Sequence, residues 1–125
     1  MTGTSMDGID ISLVQTNGLE LKRLNSNFFY KYNEQTKNTL VRVLKKDLNY
    51  NLKRKKNLDD FITIEHYLAL KDLDIVKRCD LIGFHGQTIY HNPQKNISIQ
   101  LGNPKMLSKL LNKDVVFNYR ENDIS

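Results

Sequence analysis

Met1-Thr-Gly-Thr-Ser-Met-Asp-Gly-Ile-Asp10 sets two glycines and a run of hydroxyl and acid side chains directly ahead of Ile9-Asp-Ile-Ser-Leu-Val14. In the second run Ile9, Ile11 and Leu13 alternate with Asp10 and Ser12, the period of a half-buried strand. Gly3 and Gly8 carry no Cβ, so backbone N–H groups beside them can come close to a bulky anion. Thr4 and Ser5 add donors, and Asp7 adds a carboxylate suited to a metal-bound phosphate. A small polar turn feeding a strand reads as a phosphate-cradling loop or as an ordinary glycine turn.

Outward from this stretch, Thr16-Asn-Gly18 is a turn signal, and alternation resumes at Leu19 and Leu21 and runs toward Phe28-Phe-Tyr30. The pattern predicts a hairpin. From Asn33, a plausible N-cap, Leu40, Val41, Leu44 and Leu48 recur at helical spacing. A second helix is expected after Asn57, with Asp60 partnering the cap and Leu58, Phe61, Ile62, Leu68 and Ala69 facing inward. Glu65 and His66 sit on its flank and read as packed or surface residues.

At Cys79 the period changes again. Leu81-Ile-Gly-Phe84 is a short apolar strand, and His85-Gly-Gln-Thr88 gathers polar groups just past its end, where open α/β sheets place ligand-binding residues. Ile89-Tyr-His91 and Ile97-Ser-Ile-Gln-Leu101 read as two strands around the Asn92–Asn96 turn. Asn103-Pro104 opens a helix with Leu107, Leu110 and Leu111 on its apolar side, and Asp114-Val-Val-Phe117 is a last buried strand. The order is that of an α/β fold with mixed strand directions.

The 125 residues are enough for one small domain. No apolar run is long enough to span a bilayer, and no apolar signal region opens the chain. A single cysteine excludes an internal disulfide framework and favours a reducing compartment; Cys79 itself reads as a small residue at a strand start. The net charge of +5 sits in patches such as Lys45-Lys46 and Lys53-Arg-Lys-Lys56. These lack the interleaved aromatics of a nucleic-acid surface, and Asn51–Asn57 reads as a solvated connection between helices. No His or Cys cluster has zinc spacing.

Four stretches now stand in order: Gly3–Asp10, Gly83-Phe-His-Gly-Gln-Thr-Ile-Tyr-His-Asn-Pro93, Gln100-Leu-Gly102 and Val115-Val-Phe-Asn-Tyr-Arg-Glu-Asn-Asp-Ile124. Together, over essentially the full chain, they resemble the opening third of anhydro-N-acetylmuramic acid kinase. The resemblance implies a bacterial, cytoplasmic kinase of cell-wall recycling with the actin-like, ribonuclease-H-type ATPase fold, a mixed sheet with flanking helices. Such a kinase opens the 1,6-anhydro ring of its amino sugar with water and transfers the γ-phosphoryl of ATP to the freed 6-oxygen. It implies that Gly3, Thr4, Ser5, Met6, Asp7, Gly8, Ile9 and Asp10 hold the ATP phosphates. Asp7 and Asp10 are then both candidates to approach Mg²⁺, directly or through water. His85, Gly86, Gln87 and Thr88 would line the sugar cleft. Arg120 and Asp123 match the family's Arg-x-x-Asp, with an arginine fork for the lactyl carboxylate or a structural ion pair at a strand end as the two readings. The resemblance also suggests a homodimer.

The departures shape the expectation for residues 1–125. Met1 stands where the family's first strand is ending, and Ser125 stands where the family continues into a Gly-rich stretch and a second domain. The carboxylate that activates water and the adenosine site belong to that further part, so no catalytic residue is expected here. Asn118 replaces the family's usual Asp. The chain is therefore expected to be an inactive fragment of the kinase. Two other readings compete: a non-catalytic remnant that binds a nucleotide weakly or a partner, and a hydrolase using Ser5 with His85. The second lacks the Gly-x-Ser-x-Gly spacing around Ser5.

Overall fold

The structure, a computed structural model, describes residues 7–45, 52–92 and 97–117. Strands β1 (Gly8–Thr16) and β2 (Leu21–Lys31) form the expected antiparallel hairpin, with Ile9 opposite Tyr30 and Asp10 opposite Phe29. Ile9 is buried and Asp10 exposed, so the alternation in the sequence sorts the two faces as predicted. The turn is longer than the pattern suggested. The Asn17 side-chain oxygen accepts from the N–H groups of Leu19 and Glu20, at 2.9 and 2.8 Å. Those amides are thereby taken out of the ladder, and Leu19 sits at the tip, 93% exposed, instead of opening the strand.

Helix α1 (Glu34–Lys45) starts where Asn33 caps it, the side-chain oxygen accepting from the Thr36 amide at 2.8 Å. Leu40 is fully buried and Val41 half-buried; Leu48 lies outside the described residues. Helix α2 (Leu52–Leu70) begins earlier than expected, before Asn57. Leu, Lys and Arg are good helix formers, and nothing in Leu52–Lys56 breaks a helix, so the basic run is helical instead of a connection. Asn57 is therefore interior to the helix, and Asp60 bonds elsewhere. Leu58, Ile62 and Ala69 face the core as predicted, whereas Leu68 is largely exposed and Glu65 and His66 are buried in its stead. The short α3 (Asp74–Arg78) was not anticipated; it buries Ile75 and ends at Cys79, whose amide bonds the Ile75 carbonyl.

Strand β3 (Leu81–Gly83) pairs in parallel with β6 (Asp114–Val116), and β4 (Gln87–Asn92) pairs antiparallel with β5 (Ile97–Leu101). Gln87 and Thr88 thus belong to a strand and not to a loop past one. Helix α4 (Pro104–Leu111) carries the predicted Asn103 cap on Met106 N–H, and Asn112 closes it in the left-handed conformation. The fold class is α/β as expected, but the described strands form three two-stranded sheets instead of one mixed sheet.

The core gathers Ile9, Tyr32, Leu40, Leu58, Ile62, Ala69 and Leu101 from the hairpin, α1, α2 and β5. A polar clamp fixes the other side of α2. Asp59 accepts from the Gly102 amide at 3.0 Å, Thr63 from the Asn103 amide at 2.7 Å, and Asp60 from the Asn103 side chain at 3.0 Å. Leu40→Ala is expected to lower stability by about 2–5 kcal/mol in urea unfolding. Leu19→Ala should stay within about 0.5 kcal/mol of the parent in the same measurement.

Candidate functional site

The first corner begins at Asp7, since Gly3, Thr4, Ser5 and Met6 lie outside the described residues. The Asp7 carbonyl accepts from the Tyr32 amide at 3.0 Å, which fixes the entry into β1. Its carboxylate meets Lys37 Nζ, from the first turn of α1, at 3.1 Å. Both side chains are half-exposed, so the pair is cheap to open. Gly8 is buried, and a Cβ there would collide with the Tyr30 carbonyl and the Phe29 ring. The missing side chain serves the hairpin, which needs β1 and β2 this close. Ile9 is in the core, and Asp10 lies on the exposed face.

The second corner leaves the C-terminal end of β3. Gly86 has φ +72°, and a Cβ on it would strike the Leu101 carbonyl, so only glycine fits without strain. Gln87 and Thr88 are 0% and 1% exposed, and their polar atoms are engaged inside the fold. Gln87 Nε2 donates to the Thr88 carbonyl at 3.0 Å, and Thr88 Oγ1 donates to Gln100 Oε1 at 3.0 Å. Of this group His85 is the half-exposed side chain. Arg120 and Asp123 lie outside the described residues.

The two corners meet across one residue that sequence reasoning passed over. Tyr32 is 3% exposed; its amide holds Asp7, and its hydroxyl donates to Gln87 Oε1 at 3.0 Å. Burial first, then the nearby Glu65 carboxylate and Tyr30, push its phenol well above the ordinary range, so it stays a donor. Glu65, also buried, accepts from Thr36 Oγ1 at 3.1 Å and, more weakly, from Tyr30 at 3.4 Å. Burial and the same carboxylate raise Tyr30. The available signal was Tyr30-Lys-Tyr32 itself: two tyrosines two residues apart at the end of a strand pattern, whose hydroxyls need partners when buried.

Phe84, the residue before His85, packs edge-on against His66 at 4.7 Å and tilted against Phe117 at 5.3 Å between ring centres. His66 Nδ1 donates to the Ile62 carbonyl at 2.8 Å. Burial pushes its pKa down to about 4, with the Ile62 bond pulling part of the way back, so the ring is a neutral packing group. Among the described residues no three His, Cys, Asp or Glu side chains gather in a metal-holding cluster.

The fold and these two corners define an α/β protein in which a glycine-bearing turn and a His-Gly-Gln-Thr corner are joined through a buried tyrosine. The family is more particular. The model of the family described as anhydro-N-acetylmuramic acid kinase matches residues 1–125. The chain is 38% identical to the anhydro-N-acetylmuramic acid kinase of Pelagibacter ubique over 99% of its own length and 35% of that protein's. The relative of the same name from Agrobacterium fabrum is 31% identical, over 99% and 36%. The chain belongs to the anhydro-N-acetylmuramic acid kinase family, and it spans about a third of the length of these relatives.

Gly86→Ala is expected to cost at least about 2 kcal/mol, read as a lowered melting temperature. His66 makes stability depend on pH. Unfolding restores its pKa to 6.5, so below that pH the unfolded chain takes up a proton that the folded chain refuses until about 4. This contribution is whole above pH 6.5 and declines as pH falls toward 4, by on the order of 3 kcal/mol. His66→Gln should flatten that slope in unfolding free energies measured from about pH 7 down to about pH 4.

Proposed function

We propose that this chain is the phosphate- and sugar-binding part of an ATP-dependent kinase acting on anhydro-N-acetylmuramic acid. In the reaction, water adds at the anomeric carbon as its bond to the 6-oxygen breaks. The freed 6-oxygen takes the γ-phosphoryl group, and the bond to the departing ADP breaks, giving N-acetylmuramic acid 6-phosphate. The observation that supports this reading is that Tyr32 bonds the Asp7 carbonyl through its amide and Gln87 Oε1 through its hydroxyl, so one buried residue links a member of each stretch.

Phosphoryl transfer asks a protein mainly for positioning and charge neutralisation. The loop Gly3–Asp10 would hold the phosphate oxygens with its backbone N–H groups, and Asp7 or Asp10 would hold Mg²⁺, which supplies charge neutralisation on the phosphates when bound. Opening the exposed Asp7–Lys37 pair would free the carboxylate and leave Lys37 beside the phosphates. His85 hydrogen-bonds the sugar, while Gly86, Gln87 and Thr88 form the wall that fixes it. Arg120 clamps the sugar's carboxylate, with Asp123 orienting it. The base that activates water belongs to the region of the relatives that residues 1–125 do not match. In this reading the residues are the N-terminal part of an actin-like, ribonuclease-H-type domain. On the same reading, which follows the family resemblance, the protein works in the cytoplasm, as a homodimer.

A second reading, a non-catalytic module that binds a nucleotide or a partner, draws on exposed apolar side chains such as Phe29 and Leu81, 57% and 53% exposed. Incubation with ATP, Mg²⁺ and the anhydro-sugar separates the two. Residues 1–125 alone should give no product, and a longer reading frame carrying them should give the 6-phosphate. A longer protein that phosphorylates no amino sugar would overturn the kinase assignment.

A further inference from the structure

Tyr32 is the point at which the two corners become one unit. It is the only described residue whose amide serves the first corner while its own side chain serves the second. Three bonds engage the polar groups around it. Tyr32 O–H donates to Gln87 Oε1, which leaves Gln87 Nε2 to donate to the Thr88 carbonyl, and Thr88 O–H donates to Gln100 Oε1. Because the phenol donates to Oε1, the Gln87 amide has one orientation, and the backbone at Gly86 lies so close to the Leu101 carbonyl that no Cβ fits between them. The line then continues through Leu101 into Gly102, which Asp59 pins to α2.

We infer that Tyr32 is a positioning residue: it sets the distance between the phosphate turn at Asp7-Gly8 and the sugar corner at His85–Thr88, so that a change at one is felt at the other. This rests on the kinase reading, in which the two groups to be joined are held one at each corner. Tyr32 touches neither substrate; it acts through Asp7 and Gln87. A 1 Å error in such a spacing is enough to cost a large factor in rate.

Amide hydrogen exchange on the 125-residue chain tests the link without any ligand. Gln87→Met removes the acceptor at the far end of the strut and keeps the volume. Exchange of the Tyr32 amide, which bonds Asp7, should then quicken at least about tenfold relative to the Leu107 amide in α4. Thr36→Val, which removes a buried hydroxyl outside this line, should move both amides by the same factor. Equal acceleration of Tyr32 and Leu107 in Gln87→Met, or none, would overturn the inference. If Gln87→Met does not fold, Tyr32→Phe, which deletes one oxygen, is read at the same backbone amide.

Addition of ATP and Mg²⁺ to the wild-type chain tests the nucleotide reading separately. Shifts at the Asp7–Asp10 amides with a matching shift at the Gln87 side-chain amide, lost in Tyr32→Phe, support positioning. Shifts at Asp7–Asp10 alone in the wild type count against it. No shift at Asp7–Asp10 counts against nucleotide binding by this chain and leaves the strut to be judged by exchange.

Discussion

A buried hydroxyl must find an acceptor, and the Tyr32 hydroxyl finds one in Gln87, 55 residues along the chain. The rest of the molecule is arranged to permit that bond. β2 ends by delivering Tyr32 to the inside, α1 turns away at once under the Asn33 cap, and the β4–β5 hairpin brings Gln87 underneath. Ile9, Leu40, Ile62 and Leu101 enclose the tyrosine in apolar surface. Hydrophobic burial supplies the stabilisation, and the hydroxyl selects which of many compact arrangements keeps its polar atoms satisfied.

Helix α2 shows the same division of labour. One side presents Leu58, Ile62 and Ala69 to the core; the other presents Asp59, Asp60 and Thr63 to backbone and side chain at Gly102-Asn103. No buried side-chain polar atom among the described residues lacks a partner. The helix therefore locates both the core hairpin and the connection that leads from β5 into α4. The corner at Gly86 lies against that same connection, through the Leu101 carbonyl. The site is positioned by a helix that contributes none of its candidate ligands.

Much of this was legible in the residues. Alternation from Ile9, the Asn33 cap and the Asn103-Pro104 start each describe an interaction between neighbours in the chain, and each stands in the structure. What was not legible has two sources, local propensity overridden by a compositional reading and partners contributed by other elements. The basic run at Lys53 reads as a connection by composition, yet local propensity makes it helix. His66 and Glu65 read as flank residues because their acceptor and donors come from the previous helical turn, from β2 and from α1. Gln87 and Thr88 read as groups offered to a ligand, and only the tertiary structure reveals that their own fold already uses them. The family's four stretches were visible for a different reason: their spacing is colinear, whatever each does singly.

Gly8, Gly86 and Gly102 share a feature with consequences for how this chain can vary. At each, a Cβ would run into atoms that cannot easily yield: a strand carbonyl beside Gly8 and Gly86, and the Phe84 ring beside Gly102. Gly18 has open space around it, and its φ of +90° is the sole demand. Lysine and asparagine, so abundant in this chain, are written mainly in adenine, whereas glycine codons begin with two guanines. Any single-base change that replaces glycine adds a side chain. Under a mutational drift toward adenine and thymine, a replacement at the hairpin tip meets only the strain of its positive φ, whereas at the three packed positions nucleotide bias meets a wall of atoms.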